Sequence, residues 1–405
     1  MNPIRLGVLG LGAVAQAVHL PLITKRRDLF DLVAVADVSP GLTAEVADRF
    51  AVPRRFTAVE DLLDGADLDG LLIASGGSHL GAVVAAFDRG VPVLCEKPLA
   101  VTHAELDELE AHLPAGVAHP LLLGYMKQYD PAVTAAAELL AELGDIREIE
   151  VTVLHPTGPS QLDIARVRTG HADVPAAVAG TLAAEDDRLR RQALGDVDRD
   201  TGRVYAGCLL SSLSHDFSLL RLFVGAPESI ELADIWRVPT PGQRRDIGKD
   251  AEALGSLPPS IRVAGRLPGG VRTTMAWHYL PDYPLYRETV RIVHGTGSLE
   301  LVFPSPYLMH APTRLTVTSL AGDRVHETVT SSVREAFEIQ LESFVAMLRD
   351  GFVPHSDLAS GRADVTTAQQ VMARYGLTNG VEFGGEVGAL QRGGLAIQPV
   401  REGVA

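Results

Sequence analysis

Residues 4–15, IRLGVLGLGAVA, decide how the first part of this chain folds. The opening six residues form a short apolar segment, which is typical of a strand buried on both faces of a sheet. A GxGxxA turn follows, and we expect its Gly10, Gly12, Ala13 and Val14 to lie against a bound cofactor. The glycines permit a tight turn and let backbone amides approach a pyrophosphate, while the small final alanine lets the next helix pack closely. The stretch therefore predicts a dinucleotide-binding turn.

An acidic residue stands where such a turn requires one. Residues 32–36, LVAVA, form the second strand pattern, and Asp37 follows it. A carboxylate about 20 residues beyond the glycines can accept hydrogen bonds from the adenosine ribose. The same carboxylate repels a 2′-phosphate, and the next residues, Val38, Ser39 and Pro40, offer no arginine to neutralise one. The sequence favours NAD(H) over NADP(H), unless another loop supplies an arginine.

Strand and helix patterns alternate through the first 125 residues. Apolar strand patterns recur at 70–74, 91–95 and 120–125, and helical patterns lie at 13–24, 42–50, 58–64 and 79–89. A capping box formed by Thr102 and Glu105 begins a further helix. This alternation predicts an α/β Rossmann domain, built on a doubly wound parallel sheet, over residues 1–125.

The pattern changes after residue 145 and predicts an α+β domain over residues 126–385. We expect helical patterns at 205–224 and 334–350 to cover one face of its sheet, with another helix at 359–375. The sheet itself is predicted to be large, open and mostly antiparallel, because alternating segments occur at 147–154, 229–237, 260–267, 270–280, 286–294, 297–303, 313–319 and 324–330.

Two segments fit neither pattern. Residues 156–204 are interpreted as an insertion, which is either a lid or oligomer contact or a solvated helical excursion. Residues 386–405 are expected to form a loose tail. An exposed apolar face of the predicted sheet would be an interface, so we expect a homodimer or homotetramer.

Composition excludes several classes of partner. The formal net charge of −15 leaves no basic surface for nucleic acid or an anionic membrane. The two cysteines, Cys95 and Cys208, lie in apolar surroundings without metal-ligand spacing, so we expect no metal site and a reduced, intracellular protein. The first residues lack a signal-peptide layout, and no apolar run reaches membrane-spanning length. A cytoplasmic location is therefore expected.

Residues 91–98, VPVLCEKP, run from a strand pattern into Glu96 and Lys97. The carboxyl ends of strands are where open α/β sheets bind ligands, although an ordinary exposed turn explains these two residues equally well. Together with the GxGxxA turn and the β-rich second half, however, this EKP motif resembles the Gfo/Idh/MocA family of sugar and cyclitol oxidoreductases. The likeness spans nearly the whole chain and is most specific at 88–100, DRGVPVLCEKPLA.

The resemblance implies that Lys97 lies beside the nicotinamide and hydrogen-bonds the reacting hydroxyl or carbonyl. A lysine ammonium stabilises an alkoxide-like transition state as hydride leaves carbon. Glu96 would orient that lysine. The loop SGGSH, which contains Ser75 and His79, is also similar to the family's cofactor loop, although it is shorter and lacks the usual proline.

The family's second motif places an Asp four residues before a His. In residues 207–216, GCLLSSLSHD, His215 matches that histidine, but Ser211 stands in place of the Asp. The resemblance implies that His215 is a general acid/base; a histidine satisfied by helix packing is the alternative. Ser211 cannot carry a carboxylate's charge, so it either forms a neutral hydrogen bond to substrate or yields that role to another group. Asp216 is nearest, but it points about 100° around the helix from His215.

Residues 125–129, YMKQY, resemble the family's substrate-side strand end, which implies substrate contacts from Lys127 and Tyr129. Gln128 stands where many members have arginine, so a neutral polyhydroxylated ring fits better than a charged substrate.

These observations predict NAD(H)-dependent hydride transfer to or from a secondary alcohol or ketone of a sugar, cyclitol or sugar-bearing small molecule. Two alternatives stay open. One is a regulatory protein that senses a dinucleotide or ligand without turnover, which Ser211 favours and which Lys97 and His215 oppose. The other is an enzyme that performs a redox step on an imine, enone or modified glycoside.

Overall fold

Six short strands form a parallel sheet in the first part of the chain. The computed structural model describes residues 2–156, 162–163, 165–168, 172–237, 259–280 and 283–393. The spatial order β3-β2-β1-β4-β5-β6 is that of a doubly wound Rossmann domain, as predicted. The strands are β1 (Ile4–Leu9), β2 (Phe30–Ala36), β3 (Arg54–Phe56), β4 (Gly70–Ile73), β5 (Val93–Cys95) and β6 (Leu121–Leu123).

Successive residues of each strand point to opposite faces of this sheet, and those on both faces are apolar. Helices therefore cover both faces. Leu6 and Val8 of β1 belong to one core cluster, and Ile73 of β4 belongs to the other. A π-helix, Ala15–His19, opens the first crossover. The helices are α1 (Leu20–Lys25), α2 (Pro40–Phe50), α3 (Val59–Gly65), α4 (Leu80–Phe87) and α5 (His103–Ala111). A 3₁₀ turn at Met126–Tyr129 and helix α6 (Pro131–Glu142) follow the last strand, and α6 packs on the second sheet.

Eight strands form the second sheet, in the order β14-β13-β12-β11-β7-β10-β9-β8. Neighbours are antiparallel except for β7 and β10, which confirms the predicted mostly antiparallel sheet. Each predicted strand is present. They are β7 (Ile146–His155), β8 (Ser229–Trp236), β9 (Ser260–Arg266), β10 (Arg272–Tyr279), β11 (Arg287–His294), β12 (Gly297–Phe303), β13 (Arg314–Ala321) and β14 (Arg324–Ser331).

Besides α6, the described helices of the second domain lie between β7 and β8 and after the last strand. A second π-helix, Val204–Leu213, occupies the first half of the predicted 205–224 helix. The α-helices are α7 (Ala176–Leu194), α8 (Arg199–Arg203), α9 (Ser214–Phe223), α10 (Ala336–Asp350), α11 (Leu358–Asn379) and α12 (Gly385–Arg392), and a 3₁₀ turn lies at Pro268–Gly270. No helix among the described residues is long and apolar enough to cross a membrane.

Helix α10 corrects one prediction, because it packs on the Rossmann sheet rather than on the second sheet. Its Leu341 and Phe344 are fully buried in the core cluster of Leu6 and Val8. The Phe344 ring fills the space beside Gly70, where an added Cβ would lie 2.9 Å from the ring. The spacing of apolar residues predicts a buried stripe on this helix, but it does not say which sheet receives the stripe.

The prediction of a loose tail is wrong for residues up to Arg392, which form α12. Val387 is fully buried, and the Glu386 carboxylate accepts hydrogen bonds from the backbone amides of His103 at 2.9 Å and Ala104 at 3.2 Å. An acidic side chain at the start of α5 is favourable because free amides point outward there. Residues 394–405 of the predicted tail lie outside the described residues.

Candidate active site

The glycine turn has the backbone geometry that the motif requires. Gly10 has a φ of +86°, and an added Cβ would lie 2.2 Å from the backbone nitrogen of Ser75. A side chain would therefore be excluded both by conformation and by the β4 loop. A Cβ on Gly12 would meet nothing within 4 Å, which leaves open space beside the turn. This cradle fits a pyrophosphate at the start of the first helix.

Asp37 connects the end of β2 to the glycine turn. Its Oδ2 accepts a hydrogen bond from the Leu11 amide at 2.8 Å, and its Oδ1 accepts one from the Ser39 amide at 3.0 Å. Each carboxylate oxygen can accept more than one hydrogen bond. Asp37 can therefore fix the turn and still bind a ribose hydroxyl.

His79 holds the β4 loop to the turn after β5. Its ring is buried, with Nδ1 2.7 Å from the carbonyl oxygen of Pro98 and Nε2 2.8 Å from that of Ser75. Both ring nitrogens are thus engaged with backbone. The structure gives His79 a role in positioning Ser75, and its direct contact with a cofactor stays a prediction.

Lys97 and Glu96 have different environments although they are adjacent. Glu96 is buried, and its Oε1 lies 2.8 Å from Nε2 of the fully buried His19. Burial acts to raise the pKa of Glu96, but the hydrogen bond from His19 and the charge of Lys97 hold it below its ordinary value. Glu96 is therefore an anion that anchors the turn, and its negative charge attracts the positive charge of Lys97.

The Lys97 side chain crosses to the second domain, where Nζ donates a hydrogen bond to the Ser211 carbonyl oxygen at 2.7 Å. Ser211 lies in the π-helix Val204–Leu213, in which backbone hydrogen bonds follow a wider spacing than in an α-helix. Burial, and then the positive charge of Lys127, lower the pKa of the Lys97 ammonium, although Glu96 opposes them. A neutral backbone oxygen at position 211 thus holds Lys97, where the family motif would place a carboxylate.

His215 lies four residues after Ser211, near the start of α9. Its imidazole is half-buried, lines a cavity with Lys97, and meets the Tyr125 ring edge-on at 6.1 Å between centroids. Burial, and then the charges of Lys97 and Lys127, hold the pKa of His215 well below its ordinary value. A neutral imidazole is able to accept a proton at neutral pH.

Two cavities meet at Lys97. The first, about 550 Å³, lies between the Ser75–His79 loop and helices α7 and α8. The second, about 460 Å³, extends into the second domain past His215. Both are lined by Lys97, Arg203, Gly207 and Ser211. A group bound in one cavity would therefore meet a group bound in the other at the Lys97 ammonium.

Aromatic side chains form one wall of the second cavity. Trp277 and Tyr279 project from the same face of β10, and their rings stack with an interplanar angle of 21°. His155 of β7 lies 5.8 Å from the Trp277 ring, and Trp277 Nε1 donates to Ser212 Oγ at 2.9 Å. These aromatic residues were absent from the predicted site. Their alternation in the sequence predicts a shared strand face but not the cavity that the face lines.

Lys127 reaches the second cavity, but its charge is already paired. It forms a buried ion pair with Glu288 of β11, whose Oε2 also accepts a hydrogen bond from Tyr286 at 2.5 Å. Asp216 lies against the same carboxylate. Burial, and then the charge of Glu288, raise the pKa of Asp216 well above its ordinary value, which leaves Asp216 a neutral acid. Sequence reasoning missed Glu288, although a carboxylate at a core-facing position of a strand was an available signal.

Two predicted substrate contacts lie elsewhere. Asp216 faces Glu288 and does not line either cavity. Tyr129 is buried in the Rossmann core beside His355, with 5.0 Å between ring centroids, because the 3₁₀ turn directs Lys127 and Tyr129 to different sides. Gln128 is structural: its amide donates to the Ser218 carbonyl at 2.9 Å and accepts from Ser356 Oγ at 2.7 Å.

The described residues contain no group of three or more His, Cys, Asp or Glu side chains arranged to hold a metal ion. The site as described is built from a glycine turn, a lysine, a histidine and an aromatic wall.

Comparison with known proteins supports the fold described above. Residues 4–115 match the Gfo/Idh/MocA family model, described as an oxidoreductase family with an NAD-binding Rossmann fold. Inositol 2-dehydrogenase 2 of Paenarthrobacter aurescens is 36% identical over 138 residues, which are 33% of this chain and 41% of that protein. This chain thus spans about two-fifths of the length of that relative.

Two further comparisons extend over most of the chain. D-xylose 1-dehydrogenase (NADP(+)) 2 of Haloferax volcanii is 26% identical over 87% of this chain and 91% of its own length. The crystal structure of myo-inositol 2-dehydrogenase from Lactobacillus plantarum superposes with a TM-score of 0.67 at 16% identity, covering 93% of this chain and 98% of that one. The predicted fold, with a parallel Rossmann sheet and a mostly antiparallel second sheet, is confirmed.

Proposed function

We propose that this chain, whose residues 4–115 match the Gfo/Idh/MocA oxidoreductase family model, transfers a hydride between NAD(H) and a secondary alcohol or ketone of a polyhydroxylated small molecule. The observation that carries the proposal is the position of Lys97, whose ammonium stands where the two cavities meet. The first cavity continues from the Ser75 loop, which packs on the glycine turn. The residues of the glycine turn and the Ser75 loop would hold a dinucleotide, and its nicotinamide would supply the hydride acceptor or donor near Lys97.

The bound nicotinamide supplies the acceptor for a hydride from the alcohol carbon. In that direction, neutral His215 accepts the hydroxyl proton, and the Lys97 ammonium donates a hydrogen bond to the oxygen as negative charge develops on it. Loss of the hydride to the nicotinamide and of the proton to His215 converts the alcohol to a ketone. In the reverse direction Lys97 polarises the ketone and protonated His215 returns the proton.

The Ser211 side chain cannot supply the charge of the missing Asp. A carboxylate there would raise the pKa of Lys97 and pair with its charge. The Ser211 backbone oxygen accepts a hydrogen bond from Nζ at 2.7 Å and fixes its position. The other N–H groups of the Lys97 ammonium can donate to the substrate oxygen.

The second cavity favours a neutral, ring-shaped substrate. Its aromatic wall suits the C–H faces of a sugar or cyclitol ring, and the charge of Lys127 is taken up by Glu288. A volume of about 460 Å³ falls within the usual range of ligand pockets, roughly 300–1,000 Å³. This leaves room for a sugar that carries a further group. The similarity to proteins named as inositol 2-dehydrogenase and D-xylose 1-dehydrogenase supports the same class.

NAD(H) is the proposed cofactor. Asp37 lies at the end of β2, where its carboxylate can bind ribose hydroxyls and repel a 2′-phosphate. The Haloferax volcanii relative is named for NADP(+), so the preference rests on the residues of this chain rather than on its relatives.

One experiment tests the proposed function. The protein is titrated with NADH and NADPH by nicotinamide fluorescence, and the loaded enzyme is then screened with inositols, hexoses, pentoses and simple glycosides for a change in nicotinamide absorbance. We expect tighter binding of NADH and turnover of a neutral polyol or its ketone. The alternative, which Ser211 favours, is a protein that senses a ligand without turnover. In that case NADH binds, but none of these compounds is turned over.

A further inference from the structure

A carboxylate from the insertion in the second domain lies at the turn between β2 and α2. Asp173 Oδ1 accepts a hydrogen bond from Ser39 Oγ at 2.5 Å, and Oδ2 accepts one from the Gly41 amide at 2.6 Å. Asp37 binds the backbone amide of the same serine at 3.0 Å. Two acidic side chains from different domains therefore meet at Ser39.

Arg168, another residue of the insertion, also contacts the Rossmann domain. Gln16, fully buried in the first π-helix, exchanges two hydrogen bonds with the backbone of Arg168: its Nε2 donates to the carbonyl at 3.0 Å and its Oε1 accepts from the amide at 2.8 Å. The Arg168 guanidinium lies 2.9 Å from the Glu45 carboxylate of α2. Arg168 and Asp173 are thus both bound to the first domain through its backbone or side chains.

Asp173 accepts hydrogen bonds from two groups that could otherwise donate to a phosphate, the Ser39 hydroxyl and the Gly41 amide. A dinucleotide-binding Rossmann domain places the adenosine 2′ position beside the residue that ends β2 and the turn that follows. A serine hydroxyl and a free amide at the start of a helix are ordinary ligands for a phosphate oxygen. In this chain both donate to the Asp173 carboxylate.

We propose that Asp173 is a specificity-determining residue for the cofactor. The proposal rests on the proposed dinucleotide-dependent function. Asp173 takes the two donors that would bind a 2′-phosphate and adds a second negative charge to that of Asp37. A 2′-hydroxyl is neutral and can donate to either carboxylate, so NAD(H) binds without displacing Asp173. The insertion of the second domain therefore takes part in selecting the cofactor of the first.

The test compares dissociation constants of NADH and NADPH for the unmodified protein, Asp173→Asn and Asp173→Ala at low ionic strength. Asn keeps an acceptor for Ser39 but removes the charge, so we expect NADPH to bind about tenfold more tightly, since one unit charge near a phosphate is worth about that factor. Ala also frees both donors and should improve NADPH binding further. NADH affinity should change by less than about threefold. The improvement in NADPH affinity of Asp173→Asn should be smaller at high salt, because exposed charges are screened.

Asp323→Asn is the matched control, since it removes the same charge from the exposed β13–β14 turn. It should leave the ratio of the two dissociation constants unchanged. Thermal unfolding of each variant identifies any loss of fold; Asp173 is exposed, so none is expected. If the unmodified protein prefers NADH and neither Asp173 variant improves NADPH binding, Asp173 does not select the cofactor and the proposed function stands. If neither dinucleotide binds the unmodified protein, the proposed function and this inference both fail.

Discussion

Lys97 is the residue on which the proposed chemistry depends most. Replacing it with alanine removes the ammonium from the junction of the two cavities. Stabilisation of a developing oxyanion is worth about 3–4 kcal/mol, so we expect Lys97→Ala to lower kcat by about a hundredfold or more. NADH affinity, measured by fluorescence titration, should stay nearly unchanged. Lys25→Ala, which removes an exposed lysine paired with Glu338, is the control. Unchanged turnover in Lys97→Ala would contradict the mechanism.

The pH dependence of kcat/KM in the oxidation direction reports on two groups. His215 must be neutral to accept a proton, so activity is lost as pH falls through its pKa, which is held well below 6.5. Lys97 must be protonated, so activity is lost as pH rises through its pKa, which is lowered from 10.5. We expect a bell-shaped profile with both limbs displaced to lower pH.

Two variants identify which group is responsible for each limb of that pH profile. His215→Ala should remove the acidic limb and reduce the rate, whereas Lys97→Arg should move the basic limb upward because a guanidinium stays protonated. An acidic limb above pH 6.5 that survives in His215→Ala would show that another group moves the proton.

Asp37 should affect both the strength and the selectivity of cofactor binding. Asp37→Ala removes the acceptor for the Leu11 amide and the charge that opposes a 2′-phosphate. We expect NADH to bind more weakly and the preference for NADH over NADPH to diminish, as measured by parallel titrations. A stronger preference for NADH in the variant would contradict the role assigned to this carboxylate.

At the scale of residues, the sequence identified candidate groups more readily than their long-range partners. Lys97 and His215 were expected from the family resemblance of their motifs, and the structure brings them to one cavity. Glu288 was missed because it acts through Lys127, 161 residues away in the sequence. Tyr129 was assigned to substrate because it lies near Lys127 in sequence, but the 3₁₀ turn sends it into the core.

Helix α10 is the element whose role differs most from the sequence expectation, and it offers a test of stability. Phe344 is fully buried against Gly70 of β4. Phe344→Ala leaves a cavity in the Rossmann core, and such changes cost about 3–5 kcal/mol. We expect a lower urea midpoint, followed by circular dichroism. Val329→Ala, at a position 56% exposed on β14, should change the midpoint little. Equal midpoints for the two variants would place α10 outside the core.

At the scale of elements, the alternation of apolar and polar residues predicted the positions of the strands more completely than it predicted which strands pair. Each of the eight strands of the second sheet was expected from period-two patterns, because inward residues such as Val151, Met275 and Ile292 alternate with outward ones. The two π-helices were not expected, since their residues suit an ordinary helix equally well. The pairing of β7 with β10 in parallel depends on tertiary packing and has no local signal.

The whole molecule is proposed to be a homo-oligomer that uses the open face of the second sheet. That face is more polar than expected: Arg291 and Glu150 lie on it 3.7 Å apart, next to outward-facing positions such as Thr152. Interfaces between subunits need not be more apolar than the rest of a surface. Light scattering at micromolar concentration should give a mass of at least twice 43.1 kDa. A single-chain mass would contradict the proposal.

The return of α10 to the first sheet has a consequence for how the protein forms during synthesis. The last strand of the Rossmann sheet ends at Leu123, but the helix that completes one of its faces starts at Ala336. The ribosome must add about 210 residues in between, which takes roughly 10–40 s at ordinary elongation rates. For that interval Leu6, Val8 and their neighbours lack Phe344 and Leu341 as a cover. One face of the nascent first domain therefore stays without its final cover until the sequence of α10 has been made.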